Sequence, residues 1–91
     1  MRFKPIRHIG VPYKRQVMIY GTCLNYHSRP QEERDQIDRL CKEICEDAEM
    51  EAALKELLIT DGNMEEISLR HYVSRAALYR RRATFYKRFH P

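Results

Sequence analysis

"EEISLRHYVSRAALYRRR", residues 65 to 82, sets two short hydrophobic skeletons either side of a turn and then runs into arginines with no acid among them. Asn63 stands just before Met64, where an amide oxygen can accept from the free N–H groups of a first helical turn. Glu66, three residues on, completes a pattern similar to a capping box. Ser74 takes the same place before Arg75. Two caps so close together define a short helix, a tight turn and a longer helix running to residue 88. Ile67 and Ser68 on the first helix, Val73 in the turn and Leu78 on the second face one another, and the small Ser68 lets the two helices approach closely.

Working outward, "MEAALKELLI" (50–59) offers Ala53, Leu54, Leu57 and Leu58 to a core before "TDGN" stops the helix. Further upstream, Pro30 suits a first helical turn and Glu32 and Glu33 complement the positive end of its dipole. Ile37, Leu40, Cys41, Ile44, Cys45 and Ala48 then recur at i, i+3, i+4, i+7, i+8 and i+11, one apolar stripe that predicts a helix over 31–47. From Pro12, "PYKRQVMIYGTCLNYHSR" predicts another helix with Val17, Ile19, Tyr20, Cys23, Leu24 and Tyr26 as its apolar surface, although a mid-helix Gly21 costs about 1 kcal/mol relative to alanine. "MRFKPIRHIGVP" has two prolines, a glycine and no period, and reads as an irregular lead-in. The expected fold is all-α: a basic arm (1–11), a helical hairpin (12–48) and a helix-turn-helix unit (49–91) in one small domain.

Hydrophobic residues make up 43% of the 91-residue chain and charged residues 33%. That balance is too apolar for disorder, and no apolar stretch reaches the about 18 residues a membrane span needs. The basic N-terminus lacks a continuous apolar segment and does not read as a secretory signal. Three cysteines, an odd number, do not fit a disulfide framework, so reduced thiols and a cytoplasmic setting are expected. The net charge of +4 conceals a segregation. Residues 1–29 carry Arg2, Lys4, Arg7, Lys14, Arg15 and Arg29 and no acid. All thirteen acids lie in 30–66, with four bases. Residues 67–91 carry Arg70, Arg75, Arg80, Arg81, Arg82, Lys87 and Arg88, again with no acid. Segregation of this kind suits a polyanionic partner, and it also suits basic ends that neutralise an acidic middle within the protein.

"EEISLRHYVSRAALYRR" resembles the helix-turn-helix of region 4 of bacterial sigma factors and of small phage-type transcription regulators. The resemblance extends over about residues 50–88 when "MEAALKELLI" is counted as the supporting helix, and it does not reach residues 1–30. Tyr72 departs from it at a turn position usually held by glycine, and Arg81 and Arg82 stand where a further apolar residue is usual. The resemblance implies a transcription regulator of phage or mobile-element type that reads duplex DNA. Ser74, Arg75, Ala76, Tyr79 and Arg80 would face the major groove, with Arg75 and Arg80 on base edges, while Arg81, Arg82, Lys87 and Arg88 meet phosphates. Phe85, Tyr86 and Phe89 have the spacing of a core anchor rather than of a platform for single-stranded bases.

Other chemistries are weaker. Cys23, His27, Cys41 and Cys45 read C-x3-H and C-x3-C, a donor set that suits zinc. In an antiparallel hairpin, however, the two pairs sit roughly 9 Å apart along the axis, so no metal is expected. His8, His27, His71 and His90 stand beside no recognisable nucleophile or paired-acid motif, so neither catalysis nor a cofactor is expected. The alternative function is a small phage-type inhibitor or adaptor of a host protein, such as polymerase or a CRISPR nuclease. In that reading the acids of the 31–47 helix mimic nucleic acid, in the manner of an anti-CRISPR. A homodimer through the 37–48 stripe is a further expectation, as many helix-turn-helix proteins pair to read two half-sites.

Overall fold

Side-chain caps divide the chain where its hydrophobic register breaks. The computed structural model describes residues 3–90, and among them lie five α-helices and no strand. They are α1 (Tyr13–Leu24), α2 (Gln31–Ile44), α3 (Ala48–Thr60), α4 (Met64–Arg70) and α5 (Arg75–Arg88), with a single 3-10 turn, Tyr26–Ser28, after α1. The all-α expectation holds. Asn63 accepts from the Glu66 N–H at 3.0 Å and Ser74 from the Ala77 N–H at 3.2 Å, which places the starts of α4 and α5 where the sequence puts them. No helix of the described residues is long and apolar enough to cross a membrane.

Two helices end earlier than expected: the stretch read as one helix from Pro12 to Arg29 stops at Leu24, where Asn25 breaks it before the 3-10 turn. The helix predicted over 31–47 ends at Ile44, because Asp47 caps α3 instead, its carboxylate accepting from the Met50 N–H at 2.8 Å. Cys45 is extended, and Ala48, read as the end of the α2 stripe, is exposed at the first turn of α3. A cap satisfies N–H groups that a continuous helix would have bonded internally, so a well-placed aspartate competes directly with helix propagation. In α1, by contrast, Gly21 lies inside the helix. A Cβ placed there would meet nothing within 4 Å, so the glycine costs helix propensity without answering to crowding.

α3 is the hub, packing on α1, α2, α4 and α5. Its Ala53 and Leu54 are fully buried, with Leu57 and Leu58 nearly so. The 12–48 stretch is not a hairpin closed on itself: α1 approaches α3 more closely than α2, and α2 lies against α3 and α5. The α2 stripe of Ile37, Leu40, Cys41 and Ile44 is core. Because this chain's own helices cover it, the stripe is closed to a dimer partner. Polar bonds brace the packing: Tyr26 donates to both oxygens of Asp38 at 2.9 and 2.8 Å, and Lys55 of α3 reaches the same carboxylate at 2.9 Å.

The lead-in segment is irregular but not loose. Ile6 is buried, and Phe3 packs its ring against Tyr20 with centroids 4.8 Å apart. The side chain of Gln16, only 2% exposed, does the tethering. It accepts from the Ile6 N–H at 2.7 Å and donates to the carbonyls of Ile6 and Val11 at 3.1 and 2.9 Å. At the opposite terminus Arg15 donates to the Phe89 carbonyl at 2.7 Å, and Gln36 donates to that of His90. The radius of gyration, 12.2 Å, matches about 12 Å for a single folded unit of this length, so residues 3–12 add no extended arm.

The turn between α4 and α5 closes with the Val73 N–H on the Ser68 carbonyl at 2.9 Å and the Tyr72 N–H on that of Leu69 at 3.3 Å, the pair of bonds that ends a helix on a left-handed residue. That residue is Tyr72, at φ 57, its ring almost wholly in solvent. The tyrosine therefore adopts the glycine conformation rather than redirecting the turn. Left-handed backbone costs an L-residue roughly 1–2 kcal/mol, partly offset in a glycine variant by its freer unfolded chain. Tyr72→Gly is expected to stabilise the fold by about 0.5–1 kcal/mol; an unchanged or lower midpoint in urea would show that the Tyr72 ring makes up the difference.

Candidate nucleic-acid interface

The cations of the two acid-free ends divide into those neutralised within the fold and those left available. Arg29 forms a two-point pair with Glu33, and Arg70 and His71 both engage Glu56, whose carboxyl is held below its ordinary value first by the His71 bond and then by Arg70. Arg88 meets Glu43 at 2.9 Å, and Arg81 lies 4.0 Å from Glu46. Much of the basic C-terminal third thus answers the acidic middle. Neutralisation of the acidic middle by the basic ends is thus realised by these residues.

On α5 the nine residues singled out in the sequence sort by helical phase. Leu78, Phe85 and Phe89 define the core side, all at 0% exposure, with Tyr86 beside them. This trio of rings after Tyr79 is packing, with no face left for stacked bases. Ala76, Arg80 and Lys87 share the opposite, exposed side at i, i+4 and i+11. Neither Arg80 nor Lys87 has a carboxylate within ion-pair distance among the described residues. Arg81 and Arg88 lie on the flank facing the end of α2, where Glu46 and Glu43 are their nearest acids. Arg75, Tyr79 and Arg82 lie on the other flank and line a cleft. Ser74 is exposed, but its hydroxyl is engaged as the cap of α5.

The cleft, about 630 Å³, opens between the lead-in segment, the end of α3 and α5. Lys4 lines it together with Arg75 and Arg82, so one cation of the opening segment meets two of α5 there. Neither sequence periodicity nor charge spacing signals this meeting, because residues 4 and 82 come together only through Gln16 and the Phe3 contacts. Asp61 is the acid of the cleft; it accepts from the Tyr20 hydroxyl at 2.6 Å, a bond that pushes the Tyr20 phenol up to about 12. Arg82 stacks its guanidinium over the Tyr79 ring at 5.4 Å, and burial lowers its pKa.

Cys23 and Cys41 are buried and Cys45 is half-buried, all with free thiols; desolvation pushes the Cys23 thiol up to about 12 and the Cys45 thiol to about 11. His27 lies in the exposed 3-10 turn, and among the described residues no three His, Cys, Asp or Glu side chains converge as metal ligands. Thiols held protonated by burial behave as small core groups, neither ready ligands nor nucleophiles. Compared with protein-family models, with curated proteins and with solved structures, the chain finds no match.

Proposed function

We propose that the chain binds duplex DNA and reads its sequence with α5, as a regulator of phage or mobile-element type. The observation that carries the reading is the outward side of α5, where Arg80 and Lys87 stand exposed and unpaired by any acid of the described residues, with the small Ala76 one turn before Arg80. A helix lying in the major groove needs such a side: small residues for close approach, an arginine whose fork matches guanine, and cations for the flanking phosphates. Support comes also from the short α4, the tight turn at Tyr72 and the Ser74 cap, which together present the first turns of α5 at the surface. The test is salt-dependent binding to a pool of random duplexes. Arg80→Ala is expected to cost about 1–3 kcal/mol of sequence preference, and Lys87→Ala to weaken all duplexes and reduce the salt slope by about 0.9. Arg88→Ala should change binding little, since its charge already meets Glu43. Absence of salt-sensitive duplex binding by the folded protein would sink the reading.

A second reading, a small inhibitor or adaptor that binds a host polymerase or CRISPR nuclease, draws on Leu69 and Tyr72, exposed at 69% and 94% beside the turn. Its acidic mimicry is weaker than the sequence implies. Glu33, Asp38, Glu43 and Glu46 each have a basic partner within the fold, and Asp47 caps α3.

A further inference from the structure

We infer that the cleft between the lead-in segment and α5 is a binding site for a small phosphorylated aromatic molecule, with a purine nucleoside monophosphate as the chemical type. The site lies on the flank of α5, away from Arg80 and Lys87, and its occupancy does not depend on the DNA reading.

Charge argues first. Lys4, Arg75 and Arg82 line the cleft against one carboxylate, Asp61, which leaves a surplus of two positive charges. No ion pair within the described residues uses any of the three cations. A phosphomonoester, with its second pKa near about 6, is mostly a dianion at neutral pH and matches that surplus, where a simple carboxylate would cancel half of it. Hydrogen bonding argues next. None of the three cationic side chains donates a hydrogen bond within the described residues, whereas Arg15, Arg29, Arg34, Arg70 and Arg88 all do. Phosphate oxygens accept charge-assisted hydrogen bonds from guanidinium and ammonium groups, so cations without acceptors of their own suit that ligand. Shape completes the case. The cleft's about 630 Å³ falls within the usual range of small-molecule sites, roughly 300–1,000 Å³. Phe3, Tyr20 and Tyr79 supply aromatic wall on which a base can rest while the phosphate lies among the cations.

Titration calorimetry and thermal unfolding with adenosine 5′-monophosphate test the site, with adenosine and inorganic phosphate as separate arms. The nucleotide is expected to raise the melting temperature and to bind at least about tenfold more tightly than either half, since each half satisfies only one of the two features. Arg82→Gln and Lys4→Gln should each weaken nucleotide binding about tenfold, the scale of one charged hydrogen bond. Lys4 is exposed, so its substitution leaves the fold intact even if Arg82→Gln does not. Arg80→Ala and Lys87→Ala should leave nucleotide affinity unchanged, which separates this result from that of the duplex assay. No binding at millimolar nucleotide, binding indifferent to both cleft substitutions, or affinity matched by phosphate or adenosine alone would each overturn the inference.

Discussion

Phe85→Ala is expected to destabilise the protein by about 3–5 kcal/mol, the usual cost of emptying an aromatic site in a packed core. The ring is fully buried on the side of α5 that faces the core, and it stacks on Phe89 with centroids 5.2 Å apart and planes 15° from parallel. Phe89 is itself tied into the fold, since its carbonyl accepts from Arg15 of α1 and its N–H donates to the Phe85 carbonyl. Removing the Phe85 ring therefore leaves a void between helices held from several directions, and the walls have little freedom to collapse into it. Domains of this size carry only about 5–15 kcal/mol in total, so the variant should be partly unfolded at moderate temperature. Urea unfolding followed by circular dichroism checks the value. A loss under about 1.5 kcal/mol would mean that the last turn of α5 is not part of the cooperative core.

Gln16→Leu carries the second large effect, about 3 kcal/mol, although leucine is more apolar and close in size. The glutamine amide makes three bonds to the backbone of the lead-in segment, each contributing roughly 1 kcal/mol net. With leucine, the Ile6 N–H and the Ile6 and Val11 carbonyls lose their partners at a site where water cannot replace them. The segment then has to leave the surface to be solvated. Ile6 and Phe3 would lose their packing, and Lys4 would leave the cleft. Limited proteolysis should cut the variant before α1 while sparing the wild type, and nucleotide binding should fall with it. A variant as stable and as protease-resistant as the wild type would show that Ile6 burial alone holds the segment.

Helix content and helix starts were legible in the residues because they depend on near neighbours. A cap acts on N–H groups two or three positions away, so Asn63 and Ser74 mark α4 and α5 directly, and the spacing of Ile37, Leu40, Cys41 and Ile44 marks the buried side of α2. Where two local signals conflict, as at Cys45 to Ala48, the apolar period alone predicted too long a helix, and the Asp47 cap prevailed. The burial of Phe85, Tyr86 and Phe89 was readable by the same periodicity.

The use to which each cation is put depends on distance through space, and the sequence carries no record of that distance. Arg81, Arg82 and Arg88 look equivalent to Arg80 and Lys87 in a line of letters, yet a turn of 100° per residue sends the first and third toward acids of the α2 end and the second into the cleft. An irregular opening segment with no period gives no hint that a buried glutamine will hold it. The sequence by itself determined the all-α class, the caps and the apolar sides, because those follow from contacts within a few residues. Only the tertiary structure decided which charges are neutralised and which are free, and that Lys4, Arg75 and Arg82 share one cleft, because long-range packing sets electrostatic partners and the chain's order does not.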